Sequence, residues 1–398
     1  MRALFTTQPG HGHLNPMLPY ASALRDAGHE VRFATAPSFC ATVEQMGFPV
    51  SPAGHDFTWE HAVDFFPEMA TAAAEGPLQV NELSQRIVWE HWTPRMTDDL
   101  LGLVADWRPD LIVREAAEYG GSLAGQAADI PVACALWGAP SHDSAWDRHL
   151  AVNHTSSGYR AQCERLGVSS DARTALRGEL MLSTLPPSWM AAGDPELGRI
   201  EHFRSEPQDR VDGERLDPAL TDRRSDGLIY ATLGTVHNKQ HRLRKAMLAA
   251  LAGVPASVIF TTGPGIDLDR VGDPGENIAL QSFVPQSLII PRADLVVSHA
   301  GLGTIIGALY AGVPMVLVSI AVDHPINAER AVALGVARVL DAADCQPERL
   351  RETIVEALAD ENLRKRAVSV RDECLSLPEI TKAVEVLEAY ASERTSQL

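Results

Sequence analysis

Leu295-Val296-Val297 is a short apolar run that ends on Ser298-His299, bends at Gly301 and Gly303 and passes into a helix-forming stretch near Thr304. A run of that kind reads as a strand buried on both faces, and such strands belong to parallel sheets covered by helices. The alternation recurs along the chain. In the first half Ala3-Leu4-Phe5-Thr6, Val31-Arg32-Phe33-Ala34, Leu111-Ile112-Val113 and Val132-Ala133-Cys134-Ala135 read as strands. In the second, Leu228 to Leu233, Val258-Ile259-Phe260, Ile278-Ala279-Leu280 and Val313 to Ser319 do the same. Strands alternating with helical patterns predict an α/β protein with a doubly wound parallel sheet in each half.

The segments between strands carry their own signals. After the first strand a glycine-rich turn leads to a helix with Asn15 as N-cap and Pro16 at its first position. Met17, Tyr20, Ala21 and Leu24 form its apolar stripe and Gly28 ends it. From about Gly54 to Pro94 the sequence is aromatic-rich and poorly periodic. Gly193 to Asp226 is charged, proline-punctuated and without a long apolar run, which predicts an interdomain linker at 206–226 between domains 1–205 and 227–376. Pro378 to Glu393 reads as an amphipathic helix with Ile380, Val384, Leu387 and Ala391 on one face.

The carboxyl edge of a parallel sheet is where ligands bind, and the edge after Leu295–Val297 is equipped for one. His299 stands at the strand end. Glycines at the bend let backbone N–H groups approach a ligand, and the helix N-terminus behind them is partly positive. A phosphate is held there without a lysine. The next strand delivers Asp323, His324 and Asn327 to the same edge, side chains suited to sugar hydroxyls. Together they read as a nucleotide-sugar site. The chain's formal charge of −18 over 398 residues sharpens the point, because a diphosphate must be met by local dipoles rather than a global field. That charge also argues against nucleic acid and anionic membranes as partners. The five cysteines are scattered without C-x-x-C spacing, the pattern of reduced thiols in a cytoplasm. The first residues read as a strand rather than a signal peptide, and no apolar run reaches membrane-spanning length.

His299-Ala300-Gly301-Leu302-Gly303-Thr304, Val313-Pro314 and Asp323-His324-Pro325-Ile326-Asn327-Ala328 resemble the pattern H-[GA]-G-x-G-[ST], Val-Pro, D-[QH]-x-x-N-A of nucleotide-sugar-dependent, inverting GT-B glycosyltransferases. The likeness is strongest to actinobacterial enzymes that decorate natural products. It extends over nearly the whole chain and is weakest between about Ser51 and Gln85. Ser319 stands where the family commonly has proline, and His324 where it commonly has glutamine. The resemblance implies two Rossmann-like doubly wound domains facing a central cleft. The first would bind the acceptor and the second the nucleotide-sugar, with helix 377–398 crossing back to the first.

The resemblance also assigns roles. His13, within Gly10-His11-Gly12-His13-Leu14-Asn15-Pro16 on the loop leaving the first strand, matches the family's base histidine. Imidazole titrates near neutrality and suits that task; the competing reading is a residue packing at the helix start. Glu115, after Leu111–Val113, stands where the family often has an aspartate that orients the base. It reads equally well as an exposed loop carboxylate, with Glu118 as a substitute. His299, the backbone N–H groups of Gly301, Leu302, Gly303 and Thr304, and the Thr304 hydroxyl would hold the donor diphosphate, which Gly234-Thr235 would also approach. Phe283 would stack on a pyrimidine while the Val284 backbone pairs with its polar edge. Asp323 and His324 would contact the donor sugar. Tryptophans and phenylalanines from Phe57 to Trp92, with Trp137 and Trp146, would line an apolar or aromatic acceptor site or simply fill core.

The expectation is an inverting glycosyltransferase that moves a sugar, a deoxysugar above all, from a dTDP- or UDP-sugar to a hydroxyl of a small natural product. No cofactor and no catalytic metal are expected, since Asp267-Leu268-Asp269 lies in a variable loop without partner ligands. A sugar-nucleotide epimerase on the same fold and a non-catalytic nucleotide-sugar sensor are the alternatives. A nicotinamide enzyme is disfavoured because Asn15 replaces the third glycine of the dinucleotide fingerprint. Monomer and homodimer both stay open.

Overall fold

The computed structural model describes residues 1–57, 61–75, 77–138, 157–170, 180–190, 199–205, 214–221, 227–234, 240–320 and 323–395. The chain divides into two compact units, Met1–Glu206 with Leu377–Leu398, and Pro207–Ser376. Each is an α/β unit built on a parallel sheet.

The first unit holds β1 (Arg2–Thr6), β2 (Glu30–Thr35), β3 (Val50–Pro52), β4 (Leu111–Glu115), β5 (Val132–Ala135), β6 (Leu180–Ser183) and β7 (Ile200–His202). They pair in parallel in the order β3-β2-β1-β4-β5-β6-β7. Strand order reverses between β1 and β4, which creates a crevice at their carboxyl ends. Helices cover both faces, so β1 and β4 show no polar alternation. Successive residues still point to opposite sides. Phe5 packs with Tyr20, Leu24, Phe33 and Val113, whereas Leu4 packs with Ile112, Trp92, Met96 and Leu100.

Three boundaries differ from the sequence reading. The helix assigned to start at Asn15-Pro16 starts at Leu18, with Met17 at its N-cap, and a separate short helix, His11–Leu14, precedes it. Pro19 sits in the first turn of the longer helix, where its missing N–H costs nothing. The stretch from Gly54 to Pro94 is largely helical in its described part, with helices Ala62–Phe65, Glu68–Glu75 and Pro77–Ile87 running into a π-helical turn, Val88–Trp92. A π-turn shifts the helical phase, which hides the 3.6-residue period. Trp89 and Trp92, both fully buried, consequently join different apolar clusters. The stretch Gly193 to Asp226 is not all connector, because Ile200–His202 forms β7. The parts of that stretch at 193–198, 206–213 and 222–226, together with Trp59 and Trp146, lie outside the described residues.

The last helix, Lys382–Thr395, belongs to the first unit. Ala383, Leu387 and Ala391 are buried in the cluster of Phe5 and Leu24. Tyr390 donates its hydroxyl to the Val132 carbonyl at 2.9 Å.

The second unit holds β8 (Leu228–Thr232), β9 (Ser257–Thr261), β10 (Ile278–Gln281), β11 (Leu295–Ser298), β12 (Met315–Ser319) and β13 (Ala337–Asp341). The parallel order is β10-β9-β8-β11-β12-β13, with its reversal between β8 and β11. Among the described residues no helix is long and apolar enough to cross a membrane.

Candidate active site

Thr6 of β1 lies opposite Arg114 of β4, so the segments leaving these strands enter the same crevice of the first unit. His13 sits in the short helix after β1, not on an open loop. Its Nδ1 is 3.0 Å from Oε1 of Glu115. Glu115 is the last residue of β4 and fully buried, which rules out the exposed-carboxylate reading. Its Oε2 accepts the Ala117 backbone N–H and the Trp137 indole N–H, each at 2.7 Å. The Trp137 ring stands edge-on to His13, with centroids 5.9 Å apart. Burial pushes the Glu115 carboxyl up. The charge of His13 and the hydrogen bonds from His13, Ala117 and Trp137 outweigh that and hold it below its usual value. Glu115 is therefore a carboxylate at neutral pH, and His13 donates to it through Nδ1. That tautomer makes Nε2 the basic nitrogen of the neutral ring.

Glu118, three residues on, serves the loop instead. It accepts the Thr6 hydroxyl and the N–H groups of Gly120 and Gly121. Burial pushes its carboxyl up to about 7, against those hydrogen bonds. Arg114, also fully buried, donates Nη1 to the carbonyls of Glu115, Ala116 and Glu118 at 3.1, 3.1 and 3.3 Å. Gln8 donates to the Ala117 carbonyl at 2.6 Å and ties the segment after β1 to the same loop. His11 is exposed, with Phe39 at its ring edge.

In the second unit Thr232 of β8 lies opposite Ser298 of β11, so the segments leaving these strands enter the crevice of that unit. His299 is 7% exposed. Its ring lies between Gly234 and Gly301: an added Cβ would stand 2.5 Å from Cε1 on the first and 2.4 Å from Nε2 on the second. The bend itself is made by Ala300, at φ 68°, rather than by the glycines that follow. Asn327 supports it by donating to the Ala300 carbonyl at 3.2 Å and to Asp323 Oδ2 at 2.7 Å. Gly301 is the N-cap of the helix Leu302–Ala311, and no side chain caps the N–H groups of its first turn. A Cβ at Gly303 would meet nothing within 4 Å. The buried Thr304 hydroxyl accepts the Gln286 amide at 3.1 Å.

Asp323 is the N-cap of the helix His324–Ala333 but makes no capping bond with its side chain. His324 is buried, its ring edge-on to His299 with centroids 4.8 Å apart. Phe283 is 59% exposed, which excludes a core role, while the Val284 side chain is buried. Asp267 accepts the Asp269 N–H at 3.2 Å, so the D-x-D sequence closes a short 3-10 turn. Thr235 lies outside the described residues.

The structure therefore brings together His13 with Glu115 in one unit, and His299, Gly301–Thr304, Asp323 and His324 in the other. Sequence reasoning missed the Trp137 contact with Glu115, the support from Asn327 and the Gln286–Thr304 bond. An indole at a strand end gives no sequence signal of where its N–H points.

The models of the erythromycin biosynthesis protein CIII-like family match the chain twice, the N-terminal domain over residues 22–181 and the C-terminal domain over residues 245–390. The chain is 28% identical to tylactone mycaminosyltransferase of Streptomyces fradiae, over 95% of this chain and 90% of that protein. It is 27% identical to 4'-demethylrebeccamycin synthase of Lentzea aerocolonigenes, over 97% and 99%. Among solved structures, the glycosyltransferase VinC in complex with dTDP superposes with a TM-score of 0.79 at 25% identity, covering 99% of this chain and all of that one.

Proposed function

The chain belongs to the erythromycin biosynthesis protein CIII-like glycosyltransferases, enzymes of the GT-B fold, and from that premise we propose that it transfers a deoxysugar from a dTDP- or UDP-sugar to a hydroxyl of a small natural product, with inversion. The observation that carries the reading is the His13–Glu115 pair, a partly exposed imidazole held at 3.0 Å by a fully buried carboxylate. His13 Nε2 takes the proton of the acceptor hydroxyl as that oxygen attacks the anomeric carbon from the face opposite the diphosphate. Glu115 stabilises the imidazolium and keeps its own proton count. His299 and the N–H groups at the start of Leu302–Ala311 take up the charge of the departing diphosphate. A dTDP-linked donor is supported by the nucleotide bound to VinC. The exposed ring of Phe283 is suited to stack on its base, and Asp323 and His324 on sugar hydroxyls.

The test is transfer from dTDP- and UDP-linked sugars to a panel of small hydroxylated acceptors, with the anomeric configuration of the product read by NMR. His13→Ala should lower transfer by about 10²–10⁴-fold and leave dTDP affinity unchanged. Wild-type turnover in that variant removes the base assignment, and a retained anomer removes inversion. dTDP binding without transfer to any acceptor would point instead to a binding subunit.

A further inference from the structure

We propose that Trp137 is a positioning residue for the base, fixing Glu115 so that one carboxylate oxygen always faces His13; this rests on His13 acting as the base. Topology puts it there. Ala135 of β5 lies opposite Glu115 of β4, and Trp137 follows two residues beyond that partner. Its indole N–H meets Oε2 at 2.7 Å while His13 Nδ1 meets Oε1 at 3.0 Å. A glutamate has one more side-chain torsion than an aspartate, and that freedom must be removed for the carboxylate to orient a ring. Two donors on Oε2, from Ala117 and Trp137, fix the rotation of the carboxylate plane. The same indole restricts the tilt of the imidazole, because its ring stands edge-on to His13 at an interplanar angle of 81°.

Glu115 is fully buried, so the indole N–H stands in for water on that oxygen. Removing it leaves Oε2 with the Ala117 N–H alone, and with one donor instead of two the carboxylate plane is free to turn. His13 is held by the other oxygen of the same carboxylate, 3.0 Å away, so its geometry changes with the turn. Trp137 thus acts on the reaction through two other side chains, and a contact with the acceptor is not required of it.

The variant that isolates the N–H is Trp137→Phe, which keeps an aromatic ring beside His13. We expect kcat to fall about tenfold or more, the range found when a hydrogen-bonded supporting group is removed from a working site. KM for donor and acceptor should stay within about twofold, as should dTDP affinity. The decisive arm is the double variant. In a His13→Ala background, Trp137→Phe should change the residual rate less than about twofold, because its effect passes through His13. An equal loss in both backgrounds, or a loss confined to acceptor KM, overturns the proposal. If His13→Ala itself turns over like the wild type, the base reading fails. If His13→Ala is impaired and Trp137→Phe is not, only the role of Trp137 fails. Should Trp137→Phe not fold, Glu115→Gln asks the question with every native tryptophan in place. One of the seven indole N–H resonances should then move clearly more than the rest, and no such movement overturns the contact.

Discussion

The imidazole of His299 occupies the space a side chain on Gly301 would need: a Cβ there would stand 2.4 Å from Nε2, far inside contact distance. The glycine is required by its neighbour and not by its own backbone, whose φ is −65°. Gly301→Ala should therefore displace His299 and weaken dTDP binding by at least about tenfold in calorimetric titration, since lost charge-assisted bonds are worth about 1.5–3 kcal/mol. Unchanged affinity would separate His299 from the donor. Gly303→Ala is the companion: with nothing within 4 Å of its Cβ, the free protein should melt as the wild type does.

Asn327→Ala strips a buried amide from the Ala300 carbonyl and from Asp323. Ala300 is a non-glycine residue held at positive φ, so the bend depends on such outside bonds. Chemical unfolding should show a loss of about 1–3 kcal/mol, with dTDP affinity falling alongside. A variant as stable as the wild type would mean the bend holds itself.

Glu118 makes stability depend on pH in an unusual direction. In the folded chain its carboxyl titrates near 7, against 4.5 for an ordinary glutamate, so between these values the folded state binds the extra proton. Stability contributed by this group is then greatest below 4.5 and declines as pH rises through 7, by roughly 3 kcal/mol in all. Glu115, held below its usual value, works in the opposite sense: its contribution is present above 4.5 and lost as pH falls through its folded value. Urea midpoints should show the decline towards alkaline pH in the wild type and not in Glu118→Gln. Parallel profiles would mean that the Glu118 carboxyl titrates alike in the folded and unfolded chain.

Leu387 is fully buried under the first sheet. Leu387→Ala should cost about 2–5 kcal/mol, the range for emptying a packed leucine site, read as a lower melting temperature. A change within error would show that the helix Lys382–Thr395 contributes no core.

Much of this was written in the residues themselves. Apolar runs such as Leu295–Val297 and Leu111–Val113 announced buried parallel strands because no polar alternation was needed. The spacing of His299, Gly301 and Thr304 announced a strand end, a bend and a helix start, because the three follow one another in sequence. What stayed hidden depends on distance along the chain. Trp137 meets Glu115 from 22 residues away only because β4 and β5 are neighbours, whereas the pairing of Glu115 with His13 was legible through the family resemblance. The bend at Ala300 was hidden because alanine is a poor advertisement for positive φ. The helices before Trp92 were hidden because a π-turn breaks their period.

The helix Lys382–Thr395 lies in the segment from Leu377 that completes a unit begun by Met1–Glu206. During synthesis the whole of Pro207–Ser376 must leave the ribosome before that helix can reach the face formed by Phe5, Tyr20 and Leu24. Order of birth and order of completion are thus inverted: the unit begun first is sealed after the second has emerged. Until then the apolar flank of Phe5, Tyr20 and Leu24 lacks the cover that Ala383, Leu387 and Ala391 give it.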